Sequence, residues 1–443
     1  MGHYVPHTDE EIASMLAFVG LDSLDELFDC VPEALRLAQA DFAVAPGLSE
    51  FDTAAEMERL ARANRGSELI CFAGDGTYDH DISSMVRRVG MRTEFVTAYT
   101  PYQPEVAQGV LQALFEYQTM VARLAGLEIA NASLYDGATA LVEGVNLAVA
   151  ATGRQTVWLS NGVNQRWGQV VRTFAAGTGH VICNVPLTDG VTEWPEPSDE
   201  APGAVVVQYP NRLGVLEDMA EAARVARATG ALLVVAFDPV AAGVLKSPGE
   251  WGADVAVGEG QPFGTPMSFG GPYLGLFAAR LEHVRRVPGR IVGETVDLEG
   301  RRAYVTTLRT REQDIRREKA SSNVCTNQTL IAVHCALQMS WLGKAGLREL
   351  ALRCAQGTRY TRDALLAIDG VAPLVGAPVL REFALKLPVD PARVVERMAD
   401  EGFLAGTVTD DGAGHEGLLV AVTERRTRTE IDAYVAAMEK AIR

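Results

Sequence analysis

From residue 128 to about 290 the chain alternates short apolar runs with segments of helical pattern, and this alternation constrains the fold more than any other feature. Strand-like runs are Thr156–Ser160, His180–Val185, Ala204–Tyr209 and Ala231–Phe237, and Glu217–Thr229 is an intervening helical segment. Such runs are apolar on both faces, as strands of a parallel sheet covered by helices on each side must be. A sheet of this kind binds ligands beyond the carboxyl ends of its strands. One run ends at Asp238-Pro, and the glycine-rich stretches Gly258-Glu-Gly-Gln261-Pro-Phe-Gly and Phe269-Gly-Gly-Pro272 follow. These segments are expected to meet at that end of the sheet.

The remainder of the 443 residues is too much for one core and suggests two domains plus an arm. Residues 1–68 read as an N-terminal helical arm, with Thr8-Asp-Glu-Glu11 and Ser23-Leu-Asp-Glu26 as helix-start signals and Pro32-Glu opening another helix. Residues 69–344 form the large domain, loop-rich to about 104 and helical over Glu105–Leu127. Residues 345–443 form a small α/β domain, with strands at Glu382–Leu387 and Gly417–Val422 and helices at Pro391–Glu401 and Thr429–Ile442. The net charge of −17 argues against nucleic acid and anionic membrane as partners. Six cysteines without a CxxC pair and seven histidines without an HxH or HExxH cluster exclude an obvious metal site and fit a reducing cytoplasm. The amino-terminal sequence has no signal-peptide character and no apolar run reaches transmembrane length, so a cytoplasmic protein is expected.

Four segments carry candidate chemistry. Asn131-Ala-Ser-Leu-Tyr-Asp136-Gly-Ala-Thr139 enters a small-residue helix, whose start can hold a phosphate; Asp136 and Thr139 are also ordinary caps, and a carboxylate there repels phosphate. Thr97-Ala-Tyr99-Thr-Pro-Tyr102-Gln103-Pro-Glu105 is either a rigid loop reaching an active site or interface, or a helix entry with an aromatic plug. Arg309–Lys319 reads as a solvated, salt-bridged helix face, followed by the polar cluster Ser321-Ser-Asn323-Val-Cys325-Thr326-Asn-Gln328, which can cap a helix or bind a phosphate from a neighbouring chain. Gly74–Asp81 reads as a tight turn, with His80 structural rather than catalytic.

The strand ending in Asp238 and the later glycine-rich loop resemble fold type I pyridoxal phosphate (PLP) enzymes, the class of PLP-dependent transferases with a mainly parallel sheet, a small C-terminal α/β domain and an N-terminal arm. There the aspartate pairs with the pyridinium nitrogen and a loop lysine binds the cofactor covalently. This chain has Gln261 at that position, and an amide cannot form an imine. Its five lysines are Lys246, Lys319, Lys344, Lys386 and Lys440. Lys246 follows Asp238 too closely and reads as a surface turn, and Lys319 lies in the charged run. The site formed by Asp238, Gln261, Asp136 and Thr139 therefore looks inherited but disarmed.

A closer resemblance spans essentially the whole chain. Tyr78-Asp-His80, Thr97–Glu105, Leu114-Phe-Glu-Tyr-Gln-Thr119, Asn131–Thr139, Gln208-Tyr-Pro-Asn211, Gly258–Gln261, Pro288-Gly-Arg-Ile-Val-Gly-Glu-Thr295, Ile315–Ala320 and Ser322–Gln328 resemble the α-type subunit of the glycine cleavage system P-protein, a glycine dehydrogenase (decarboxylating). The resemblance implies an α2β2 assembly in which the β-type subunit binds PLP, and no covalent cofactor on this chain. It also implies that glycine is decarboxylated, its aminomethyl group passing to the lipoyl arm of H-protein as the lipoyl disulfide is reduced. Tyr99, Tyr102 and Gln103, and Asn323, Cys325, Thr326 and Gln328, are then the candidates to reach the partner's site or interface. Asp314 stands where the family usually has histidine, which puts a catalytic role there in doubt, and Ser83 replaces a usual proline, whereas Val287 is conservative. Two other readings remain at this point: a self-sufficient PLP enzyme using Lys246, and a purely structural subunit.

Overall fold

The computed structural model describes residues 6–36, 44–96, 100–196, 200–308, 320 and 322–443. It divides into two compact units, Met1–Ser67 and Glu68–Arg443. In the first, the expected capping box forms: Thr8 Oγ1 accepts from Glu11 N at 3.2 Å and Glu11 Oε2 from Thr8 N at 2.8 Å, opening the helix Asp9–Val19. The Ser23 and Pro32 signals start only short 3-10 turns, Asp25–Phe28 and Glu33–Leu35. Ser49 caps a further helix, Glu50–Ala63.

The second unit is built on a seven-stranded sheet. Its strands lie in the order Ile129–Ala130, Gly275–Ala279, Val255–Glu259, Leu232–Phe237, Ala204–Tyr209, Thr156–Ser160 and Val181–Val185. The last five are mutually parallel, and Gly275–Ala279 runs antiparallel to both its neighbours. Successive side chains of a strand point to opposite faces, and over the central strands both faces are buried, whereas the edge strand Val181–Val185 is largely exposed. Val205, Val207, Leu233 and Val235 pack under the helices Pro104–Ala125, Met219–Thr229 and Thr329–Leu366. Val206, Val234 and Ala236 pack under Gly137–Thr152 and Gln165–Thr178. Gly144 lets the first of these press onto the sheet, since a Cβ there would lie 3.1 Å from Val234.

Residues expected to be loop-rich before 104 contain two short helices, Ser84–Gly90 and Thr93–Val96, and a strand, Ile70–Cys71, that pairs in parallel with Phe403–Leu404. An antiparallel hairpin, Ile291–Val296 with Arg302–Thr307, follows the large sheet. The helix Thr329–Leu366 then runs to a four-stranded antiparallel sheet, Ala372–Pro373, Glu382–Lys386, Glu416–Ala421 and Thr407–Asp410 in that order, breaking its geometry at Gly343 (φ +59°). The helices Pro391–Asp400 and Arg428–Ala441 cover this sheet, and Phe72 stacks on Tyr434 in its core with centroids 4.0 Å apart. No described helix is long and apolar enough to cross a membrane.

Candidate functional site

Asp238 follows the strand Leu232–Phe237, as the sequence places it, at the carboxyl end of the parallel strands. Its carboxylate accepts from Val240 N at 2.9 Å and is paired with Arg381, which enters from the start of the strand Glu382–Lys386. The Arg381 side chain is 3 % exposed. Its guanidinium lies 3.6 Å from the Tyr78 ring centroid and donates from Nη1 to His80 Nε2 at 2.8 Å. A guanidinium only donates, so Nε2 is the acceptor and the imidazole proton sits on Nδ1, 2.7 Å from Glu424 Oε2. Burial opposes the Glu424 charge, yet the hydrogen bonds from His80 and Asp81 N–H hold its pKa below the usual carboxylate range. His80 is thus structural, as expected, but it is one link of a buried chain running Asp238, Arg381, His80, Glu424. Cys354 approaches His80 and Glu424 at a spacing a metal could use. Both imidazole nitrogens are engaged, however, and burial pushes the Cys354 thiol up to about 12, so the trio is not a ready ligand set.

Gln261 is 1 % exposed and spends its whole amide locally. Nε2 donates to Tyr78 O (3.0 Å) and Thr265 O (2.8 Å), and Oε1 accepts from Tyr78 N (3.1 Å). Two residues earlier, Glu259 receives Gly137 N on Oε2 (2.9 Å) and Leu274 N and Gln261 N on Oε1 (3.0 and 2.9 Å). Burial raises its pKa to about 8 against those three donors. Gly137 is the first residue of the helix Gly137–Thr152, so a carboxylate already occupies the helix start where a phosphate would bind. Trp167 closes the same corner: a Cβ on Gly137 would lie 2.2 Å from its ring. Asp136 and Thr139 cap each other, with Asp136 Oδ1 accepting from Thr139 N at 2.8 Å and Thr139 Oγ1 from Asp136 N at 3.2 Å.

What remains is a cavity of about 40 Å³ between Tyr78, Trp167, Asp238, Glu259 and Arg381, room for water and little else. PLP does not fit this seat. The Gly137 N–H a phosphate would need is already given to Glu259, the Asp238 carboxylate is paired with Arg381, and among the described residues no lysine lines the cavity. Lys246 lies elsewhere, its Nζ 4.7 Å from the centroid of the Trp251 ring, and neither residue lines the cavity. Lys319 and Asp314 lie outside the described residues.

The two polar segments come together on another part of the same unit. Tyr102 is 63 % exposed, and its ring centroid lies 5.6 Å from the guanidinium carbon of Arg290. Gln103 is the exposed residue preceding the helix Pro104–Ala125 and makes no side-chain cap bond. Arg290 donates to Asn327 Oδ1 (2.5 Å) and to Thr100 Oγ1 (3.4 Å), joining the loop to the cluster. Tyr135 Oη accepts from Cys325 N (3.0 Å) and Thr326 N (3.2 Å), and Ser133 Oγ accepts from Gln328 N (3.1 Å). Asn323 and Cys325 are exposed, and Thr326 and Gln328 half-buried. Tyr99 lies outside the described residues. Sequence reasoning named the segments but not Arg290, Asn327, Ser133 or Tyr135 as the ties. The one local signal was Pro288-Gly-Arg290, whose target lies 37 residues away.

The fold defines the class: a fold type I PLP-transferase scaffold, here with side chains filling the carboxyl end of the sheet around Asp238. Solved structures agree on the fold, among them a NifS-like protein from Rickettsia africae (12 % identity, 84 % of this chain and 99 % of that one, TM-score 0.61). An alanine–glyoxylate aminotransferase from Nostoc sp. is similar too (14 % identity, 85 % and 96 %, TM-score 0.58). A family model described as glycine cleavage system P-protein matches residues 2–438, and the chain belongs to that family. Its relatives from Desulforamulus reducens (98 % of this chain, 99 % of the relative) and Moorella thermoacetica (98 % of each) are both 45 % identical to it and named "Probable glycine dehydrogenase (decarboxylating) subunit 1". A crystal structure of glycine decarboxylase (P-protein) of the glycine cleavage system, in inhibitor-bound form, is 46 % identical over 99 % of this chain and 100 % of that one, with a TM-score of 0.91.

Proposed function

We propose that this chain is the subunit of glycine dehydrogenase (decarboxylating) that completes an active site on a β-type partner. PLP is carried by that partner, in an α2β2 assembly. The partner's site decarboxylates glycine and passes the aminomethyl group to the lipoyl arm of H-protein, reducing the lipoyl disulfide. The observation that carries this reading is the contrast between the two regions. At Asp238 the chain has filled its own seat with Arg381, Glu259 and Gln261. At Tyr102 and Thr326 it holds polar groups on two tied segments at the surface. Gln103, Asn323, Cys325 and Gln328 belong to the same face of the reading, and so does Tyr99 by its place in the loop. Lys246, engaged with Trp251, gives no support to a stand-alone PLP enzyme.

The domain reading that goes with this is an arm at 1–68, a large domain at 69–344 and a small domain at 345–443, in a cytoplasmic protein. The test is reconstitution with a β-type subunit. Glycine-dependent CO2 exchange should require both chains, and Tyr102→Ala or Thr326→Ala should lower the exchange rate by about ten- to a hundredfold with the complex intact. Full activity in both variants would leave the chain a structural subunit only.

A further inference from the structure

We infer that Arg290 is the positioning residue for this chain's share of the partner's site, an inference that rests on the function proposed above. Its place in the fold is fixed first by its backbone: Arg290 O accepts from Ala132 N at 2.8 Å, tying it to the Asn131–Tyr135 stretch. Asn131 Nδ2 donates to Pro288 O at 3.0 Å, and its Oδ1 accepts from Ser133 N at 3.1 Å, holding Ser133 at φ +103°. That uncommon backbone geometry aims the Ser133 hydroxyl at Gln328 N.

The side chain then bridges two segments. Arg290 is 6 % exposed, and its two terminal nitrogens reach Asn327 Oδ1 and Thr100 Oγ1. Asn327 is held in one orientation, because Oδ1 accepts from Arg290 and Thr329 Oγ1 (3.1 Å) while Nδ2 donates to Ala132 O (2.8 Å) and Ser133 Oγ (3.3 Å). The groups flanking these anchors, Tyr102 on one side and Cys325 on the other, are exposed. Arg290 itself is too deep to meet a partner's substrate, so it acts through them. A planar fork spans two acceptors at a fixed angle, and an ammonium does not.

The experiment is to assemble Arg290→Gln and Arg290→Lys chains with the β-type subunit, alongside Tyr102→Ala and Thr326→Ala. Complex formation, thermal midpoint and kcat and KM for glycine-dependent exchange are measured in each. In the isolated chains, the rate of Cys325 labelling by a thiol reagent is compared with that of exposed Cys183. The inference expects intact complexes, kcat lowered about ten- to a hundredfold at nearly unchanged KM, and a changed Cys325 rate with Cys183 unaffected. Arg290→Lys should recover only part of the loss, and it carries the test if Arg290→Gln does not fold. Wild-type kcat in the Arg290 variants, with Tyr102→Ala or Thr326→Ala impaired, overturns the inference and leaves the proposed function standing. Wild-type kcat in all of them overturns both. Activity lost only in step with lost assembly, with Cys325 labelling unmoved, reduces Arg290 to a structural residue and also overturns it.

Discussion

A glutamine in place of a lysine would by itself leave an open pocket, whereas the space beside Asp238 is closed down to a cavity of about 40 Å³. Gln261 is bonded through both ends of its amide to the backbone of Tyr78 and Thr265, and Arg381, Glu259 and Trp167 take up the remaining space. Restoring the lysine is therefore insufficient. After removal of free PLP, Gln261→Lys should retain no protein-bound visible band, and borohydride should fix no adduct at position 261. The variant should also lose about 2–4 kcal/mol of stability in urea, because a buried ammonium replaces three hydrogen bonds. A yellow, reducible Gln261→Lys chain would mean that the seat is still open. The glutamine was legible because it falls at a fixed distance along one strand-loop unit. Arg381 was not, because it meets Asp238 across 143 residues and nothing in Leu-Arg-Glu-Phe marks it as more than the start of a strand.

Beside their apolar packing, the helix Gly137–Thr152 and the strand Val255–Glu259 are joined by the Glu259 carboxyl group. Glu259 receives three backbone N–H groups, but burial dominates and its pKa rises to about 8. A carboxyl raised in the folded state keeps a proton that the unfolded chain releases. Its contribution to stability is complete below pH 4.5 and is lost as the pH rises through about 8. Relative to Glu259→Gln, the wild-type chain should thus lose stability over that window by at most about 1.4 kcal/mol per pH unit, with the difference flat above it. Urea unfolding of both chains between pH 5 and 9 measures this. A difference that stays flat or grows with pH would show that the three N–H donors outweigh burial.

Elements were readable where pattern is local. The buried strands Thr156–Ser160 and Ala204–Tyr209 fall on their apolar runs, and Thr8 and Glu11 form the capping box their spacing announces. The hairpin Ile291–Val296 with Arg302–Thr307 went unread, since Gly293-Glu-Thr breaks its apolar alternation and its pairing depends on the turn between. The helix Thr329–Leu366 was equally hidden, because it covers the large sheet at one end and the small one at the other, and no single apolar face runs its length.

Across the whole molecule, the candidate contribution to catalysis lies on ties between distant segments. Arg290 and Asn327 join them across 37 residues, and Tyr135 meets Cys325 across 190. Sequence alone gave the segments and their chemistry; only the fold could bring them together, and the partner is what would give them a substrate. The central claim is that this chain belongs to an enzyme whose cofactor it does not hold. It is tested most directly by visible spectra of this chain, of its β-type partner and of their mixture with PLP, each before and after borohydride, with mass spectrometry to place the label. The account predicts colour and a reduced adduct on the partner alone, with glycine-dependent CO2 exchange only in the mixture. A reduced adduct on this chain, at Lys246 or any other lysine, would contradict it.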